Sequence, residues 1–500
     1  MLGARPAHAV DLELDLGLLN RVAGRVNGIE RLLRYDPTRG FLYDRYLTPA
    51  NTSVQYSFLA RVAAQLSLAR WLSIGFAADS GEVRVADRVP GTDGSLITPV
   101  PSSADETRVT ANGRRFVDEA KSTFFIRQAY IELAAPSTRW MTLRAGRLAA
   151  SFGRGVIYDD FGLGGELSLH FDKLSSKVPL RLDLQGLIPT RSWSTGMQSV
   201  LLSSRLSWVL SSMLGIVEAI GISAAYFHDG NNNFGALMQP MLTEVAVDVS
   251  APQQYADIVA ALTSSGVASK ADVVWFGLDA KKLIGDFSLY GAVYLELGSV
   301  TLDNPLAGLR SQLPPTVARR IPGRNPIEVD TFGVAVDLRA SYLLTERLAI
   351  GAFLLFLSGE GNPFLDDQIG SRYSSFLGVV PYMTHTNLFF SGGLNETFSG
   401  RQAAASGVNG RGVIAFGPTA RWEITEKAAL RGSVVPLLSA VPSASGGRFY
   451  GVEIDAVGSF QPWSWLRLSV EYDVLIPGSF FAGSGAVHKA IVGVDLLYGI

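Results

Sequence analysis

The stretch DLELDLGLL, residues 11–19, sets Asp11, Glu13 and Asp15 strictly between Leu12, Leu14, Leu16 and Leu18. That alternation is the strongest constraint in the chain. Successive side chains of a strand point to opposite faces, so these residues make a ribbon with one apolar and one acidic face. The pattern recurs. Residues 53–69 gather Val54, Tyr56, Phe58, Ala60, Val62, Ala64, Leu66 and Leu68 on one side, and 180–187 alternate Leu180, Leu182 and Leu184 with Arg181, Asp183 and Gln185. Residues 332–342 set Phe332, Val334, Val336 and Leu338 against Asp337 and Arg339. Near the end, 450–460 and 465–474 set Val452, Ile454, Leu468 and Val470 against Glu453, Asp455, Arg467, Glu471 and Asp473. Period two is the signature of strands.

The connections sort by length. Short polar ones (69–71, 135–140, 174–179, 280–286, 344–348, 424–428 and 461–465) alternate with long ones rich in Gly, Asn, Pro and Ser (19–52, 88–120, 229–270, 299–328 and 359–409). A soluble sandwich has no reason to do this. A transmembrane barrel does, with short periplasmic turns and long extracellular loops. Trp71, Trp140, Trp422, Trp463 and Trp465, five of the 8 tryptophans, lie in or beside the short turns, as an interfacial aromatic belt requires. Mean hydropathy is +0.22 with only 18% charged residues, yet the best candidate for an apolar helical span, 208–227, contains Glu218, serines and glycines. The expectation is an all-β, transmembrane antiparallel β-barrel of about 18 strands. It forms a single domain over 10–500, with an aqueous lumen rather than a packed core.

Several classes are excluded or disfavoured. A net charge of −2 gives no footprint for nucleic acid. Ala7-His8-Ala9 has the A-x-A form of a cleavage site, so residues 1–9 read as the residual tail of a signal peptide; with no Cys in the chain this suits an oxidising envelope. His8, His170, His228, His385 and His488 show no metal-ligand spacing, and neither a phosphate-binding Gly loop nor a nucleophile elbow appears. No enzyme, metal or cofactor is expected. The partners expected are outer-membrane lipid and lipopolysaccharide, the barrel-assembly machinery, and a saccharide or polysaccharide as solute.

Residues 126–160, with IRQAYIEL and MTLRAGRLAASFGRG, resemble the early strand pair of the alginate-export family of outer-membrane barrels. Residues 376–393 and 471–485 resemble that family's Pro- and His-bearing loop and the segment before its last strand. The resemblance implies a monomeric 18-stranded channel for polymer or solute.

Alternation assigns the interior. An acidic wall of Asp11, Glu13, Asp15, Glu453, Asp455, Glu471, Asp473 and Asp495 gathers at the seam where the last strand meets the first, relieved by Arg467. Basic candidates are Arg61, Arg144, Arg181, Arg205, Arg339, Arg421 and Arg431 on the remaining wall. Opposed walls would set a transverse field that orients dipolar solutes; the alternative is simple pairing with cross-strand neighbours. The 359–409 loop, with Asp366, Asp367, Arg372 and His385, is the constriction candidate, and Tyr255, Ile258, Val259 and Leu262 have the spacing of a short amphipathic helix. The function expected is passive passage of small solutes or saccharides. Export of a polysaccharide is the alternative, and an occluded structural barrel is a third class.

Overall fold

In a computed structural model the alternating segments are long antiparallel strands. It describes residues 11–26, 35–36, 40–41, 52–79, 83–85, 125–136, 138–175, 178–189, 199–209, 219–230, 269–302, 307–312, 315, 323–361, 372–379, 381, 383–390, 393–394, 407–442, 446–481 and 485–499. The strands are β1 (Asp11–Val26), β2 (Thr52–Ala69), β3 (Leu72–Asp79), β4 (Phe125–Ala134), β5 (Met141–Phe152), β6 (Tyr158–His170), β7 (Leu180–Pro189), β8 (Ser199–Val209) and β9 (Ala219–Asp229). They continue as β10 (Ser269–Ile284), β11 (Phe287–Leu302), β12 (Ile327–Thr345), β13 (Leu348–Leu357), β14 (Val413–Thr425), β15 (Ala428–Leu438), β16 (Phe449–Trp463), β17 (Leu466–Pro477) and β18 (Val487–Gly499). Each pairs with its sequence neighbours, and β18 returns to β1 with Asp15 opposite Gly499 and Val26 opposite His488. The sheet is therefore a closed antiparallel barrel, which leaves no edge of unpaired backbone in lipid. Two short segments complete it: Val83–Val85 pairs with β2, and Arg372–Tyr373 runs parallel to β12.

The short turns are built from local chemistry. In L-T-E-R-L, Thr345 Oγ1 accepts from the backbone N–H groups of Arg347 and Leu348 at 3.2 and 3.0 Å; in I-T-E-K-A, Thr425 Oγ1 accepts from Lys427 N–H at 3.2 Å. A Thr closing its own turn lets the next strand start at once. Outside, Val22, Ile74, Ile131, Leu278, Val293, Ile350, Val470 and Val492 are exposed, a belt that only a lipid environment covers at low cost. Trp71, Trp208, Trp422, Trp463 and Trp465 are exposed at the short-turn end, and the Trp463 and Trp465 rings stack 5.4 Å apart. No helix among the described residues is long and apolar enough to cross a membrane.

Three expectations need correction. First, β1 extends to Val26, because Leu19, Arg21 and Ala23 continue the inward face. Second, β6 runs over Tyr158–His170, a span the apolar alternation does not mark; Gly162, Gly164 and Gly165 blank out the pattern there. Third, the lumen is not simply aqueous. Phe376, Leu377, Val379, Met383, Leu388, Phe389 and Phe390, from the β13–β14 connection, lie buried among inward residues such as Trp275, Leu355, Leu437, Tyr450 and Leu475. An apolar loop has folded into the barrel and made a core where water was expected. Residues 1–9, the 88–120 connection, the helical spacing at Tyr255–Leu262, and Asp366 and Asp367 lie outside the described residues.

Candidate functional site: the barrel interior

The inward loop brings backbone N–H groups that have no strand partner, and the wall supplies acceptors. Glu296 on β11 accepts from Leu377 N–H at 2.6 Å, while Trp275 Nε1 donates to Leu377 O at 3.1 Å. Glu453 on β16 accepts from both Leu388 and Phe389 N–H, the latter at 3.0 Å, and Glu471 on β17 accepts from Leu394 N–H. Asn387 Nδ2 donates to Asp473 at 2.8 Å, and Lys489 Nζ on β18 donates to Asn387 O at 2.9 Å. Lys489 also pairs with Glu471 at 2.6 Å and Asp473 at 3.0 Å. Buried carboxylates survive only with such partners, and each bond to a charged acceptor contributes about 1.5–3 kcal/mol.

A second anchor is His385. Its Nε2 lies 3.2 Å from Asp337 Oδ1 and 3.1 Å from Arg339 Nη2, with the ring beside Phe353 and Phe390. Burial pushes the imidazole below its ordinary pKa, against the pull of Asp337. The third anchor joins two loops across the lumen: Val379 N–H donates to the carbonyl of Ile157, in the β5–β6 connection, at 2.8 Å. Two glycines permit this closeness. A Cβ on Gly378 would meet Val156 O at 2.7 Å, and one on Gly333 of β12 would meet the Phe376 Cα at 2.7 Å.

The seam acids therefore divide. Asp11, Glu13 and Asp15 are exposed at the short-turn end. Glu453, Asp455, Glu471, Asp473 and Asp495 face inward but are buried, so they line no aqueous wall. The correction has a plain cause: the loop, Lys489, Arg21 and Arg467 occupy the space that water would fill. Asp495 takes Arg21 and Arg467, the latter at 2.8 Å, and Asp455 accepts from Ser433 Oγ at 2.9 Å.

The arginines do not form an opposed basic wall. Each of six pairs with a carboxylate: Arg61 with Asp79 (3.0 Å), Arg144 with Glu132 (2.8 Å), Arg181 with Asp172 (2.7 Å), Arg205 with Asp279 (2.7 Å), Arg339 with Asp337 (2.8 Å) and Arg421 with Glu423 (2.8 Å). Arg431, opposite Arg421 in register, has no ion pair among the described residues. Asp172 sits in the single-turn helix Phe171–Leu174, where the Arg181 hydrogen bond holds its carboxyl below the usual range. Arg372 is no constriction residue. It is exposed, and its guanidinium lies 3.8 Å from the centre of the Phe332 ring, on the outward face of β12.

On the β5–β11 side a cavity of about 670 Å³ remains open beneath the 153–157 turn. Arg154 and Lys281, both beside Tyr290, line it together with Glu166 and Asp183. Sequence reasoning missed Arg154, Lys281, Lys489, Glu296 and Arg21. All but Arg154 obey the strand alternation and were open to the same assignment; Arg154 sits in a turn and carried no signal. No group of three or more His, Asp or Glu among the described residues could hold a metal ion.

A closed antiparallel barrel of eighteen spanning strands, apolar outside and polar or loop-filled inside, is a transmembrane β-barrel of the outer-membrane type. No family model and no curated protein sequence matches the chain, so the resemblance to the alginate-export family gains no support. Similar solved structures include OccAB4 of Acinetobacter baumannii, at 9% identity over 99% of this chain and 100% of that one, TM-score 0.47. OccK5 (OpdH) of Pseudomonas aeruginosa is 11% identical over 98% of each chain, TM-score 0.45. A BenF-like porin of Pseudomonas fluorescens is 8% identical over 98% of this chain and 99% of that one, TM-score 0.46. The barrel assignment stands on the strand pairing alone.

Proposed function

We propose that the chain is an outer-membrane channel for small polar solutes in a Gram-negative envelope, its bore limited where the inward segments 374–379 and 383–390 meet the 153–157 turn. The Val379–Ile157 bond above an open polar cavity carries the reading: it narrows the lumen on one side and leaves a solute-sized space on the other. Saccharides are within the solute range; nothing calls for catalysis. The partners of such a channel are the lipid and lipopolysaccharide around the belt and the machinery that inserts it. Export of a polysaccharide is not favoured, because the loops fill the space a polymer would need. Planar-bilayer recording tests the reading. The intact chain is expected to give small stepwise conductances, and replacement of residues 376–390 by a short Gly-Ser linker much larger ones. Silence from both would mean an occluded structural barrel.

A further inference from the structure

We infer that the open cavity is a binding site for a small zwitterion of di- or tripeptide length; this rests on the channel reading and names its solute class. The cavity is about 670 Å³ and carries separated charge. On one side, Lys281 stands opposite Tyr290 in the β10–β11 register, and Arg154 lies over the same ring, its guanidinium carbon 4.1 Å from the centroid. Neither cation has a carboxylate within ion-pair distance among the described residues. On the other side, Asp183 accepts from Ser168 Oγ at 2.7 Å. Glu166 lies 4.0 Å from Arg144, whose shorter bond, 2.8 Å, goes to Glu132. Between the two ends the charges cancel: Arg205 is bonded to Asp279.

The cationic end thus lacks a counter-charge, the acidic end has only the 4.0 Å contact of Glu166 with Arg144 and leaves Asp183 without an ion pair among the described residues, and the middle is paired. A monoanion would satisfy one end and leave Asp183 unmatched; a monocation has the converse fault; a neutral sugar answers neither. A solute with a carboxylate at one end and an ammonium at the other answers both. The spacing agrees. From β7 to β10 is three strand steps, about 14 Å along the wall at ~4.8 Å per step. The Lys281 and Arg154 side chains reach inward and shorten that span to roughly the length of an extended tripeptide at ~3.3–3.6 Å per residue. Arg154 is held at φ 52° and ψ 39°, left-handed for a non-glycine residue. Such strain persists where surroundings enforce it and is concentrated at working sites.

The test is calorimetric titration of the full chain in detergent with triglycine (zwitterion), N-acetyl-diglycine (anion) and triglycinamide (cation). Triglycine is expected to bind tighter than either by about tenfold or more. Lys281→Gln is expected to weaken triglycine about tenfold without weakening triglycinamide; Asp183→Asn is expected to weaken triglycine similarly without weakening N-acetyl-diglycine. Equal binding of the anion or the cation, or no binding of triglycine, overturns the inference. Bilayer conductance of the same preparation keeps the two readings apart: conduction without triglycine binding removes the site and leaves the channel, and binding without conduction does the reverse.

Discussion

The β16–β18 wall and the β6–β8 wall are built on one plan and reach opposite states. Both alternate apolar and polar residues, and both aim carboxylates inward: Glu453, Glu471 and Asp473 on the first, Glu166 and Asp183 on the second. On the first wall a loop has come in, the carboxylates are dehydrated, and each bonds to loop backbone, Asn387 or Lys489. On the second wall the carboxylates border an open cavity. The strand decides which way a charge points. What meets it there decides whether it acts as a fastening or as a recognition group.

The comparison predicts unequal responses to substitution. Lys489→Met should have the largest effect, since it leaves Glu471 and Asp473 buried without their cation, at a cost of about 3–5 kcal/mol. The unfolding temperature of the protein in detergent should fall well below that of the parent; a shift no greater than that of a cavity-side variant would dissolve the contrast between the walls. Glu453→Leu comes next. It strands the Leu388 and Phe389 amides, costs about 2–4 kcal/mol of loop docking, and should expose the loop to protease in detergent-solubilised protein. Continued resistance would show that apolar packing alone holds the loop.

A smaller effect is expected from pH. The docked loop keeps His385 neutral among Asp337, Arg339 and the more distant Arg154, whereas a released loop lets it protonate near about 6.5. The released state binds more protons, so docking weakens as pH falls below about 6.5 and is fully restored above it. His385→Phe should remove that part of the acid sensitivity of loop proteolysis; an unchanged profile would assign the sensitivity to other groups. The smallest effect belongs to Arg205→Gln. The arginine is half exposed, so its pair with Asp279 contributes under about 1 kcal/mol, and stability should hold while cation selectivity in the bilayer rises. A large loss of stability there would make the cavity wall as rigid as the latched one.

A barrel of about 18 strands was legible in the sequence, because period two against sorted loop lengths is a local signal. The inward direction of Glu453 or Arg205 was legible for the same reason. What fills the lumen was not. Nothing local separates Glu453, which grips Leu388 and Phe389, from Asp183, which borders the cavity. The difference lies in a loop more than sixty residues away in the chain, and Glu453 lies 64 positions from Phe389. The run of Phe376, Leu377, Val379, Val380, Leu388, Phe389 and Phe390 was a readable hint, since so apolar a connection has no place in water. Arg154 was beyond reach, because its position depends on a left-handed turn and a ring from another strand.

The pairing of Asp495 with Arg21 and Arg467 bears on how the barrel comes together in time. Arg467 sits on β17 and reaches Asp495 as soon as the β17–β18 hairpin forms. Arg21 sits on β1, at the opposite end of the chain, and arrives only when the cylinder shuts. A nascent, unzipped sheet therefore holds this carboxylate with one guanidinium and the finished one holds it with two. The last step of assembly carries its own electrostatic reward, set at the one joint that chain connectivity does nothing to hold.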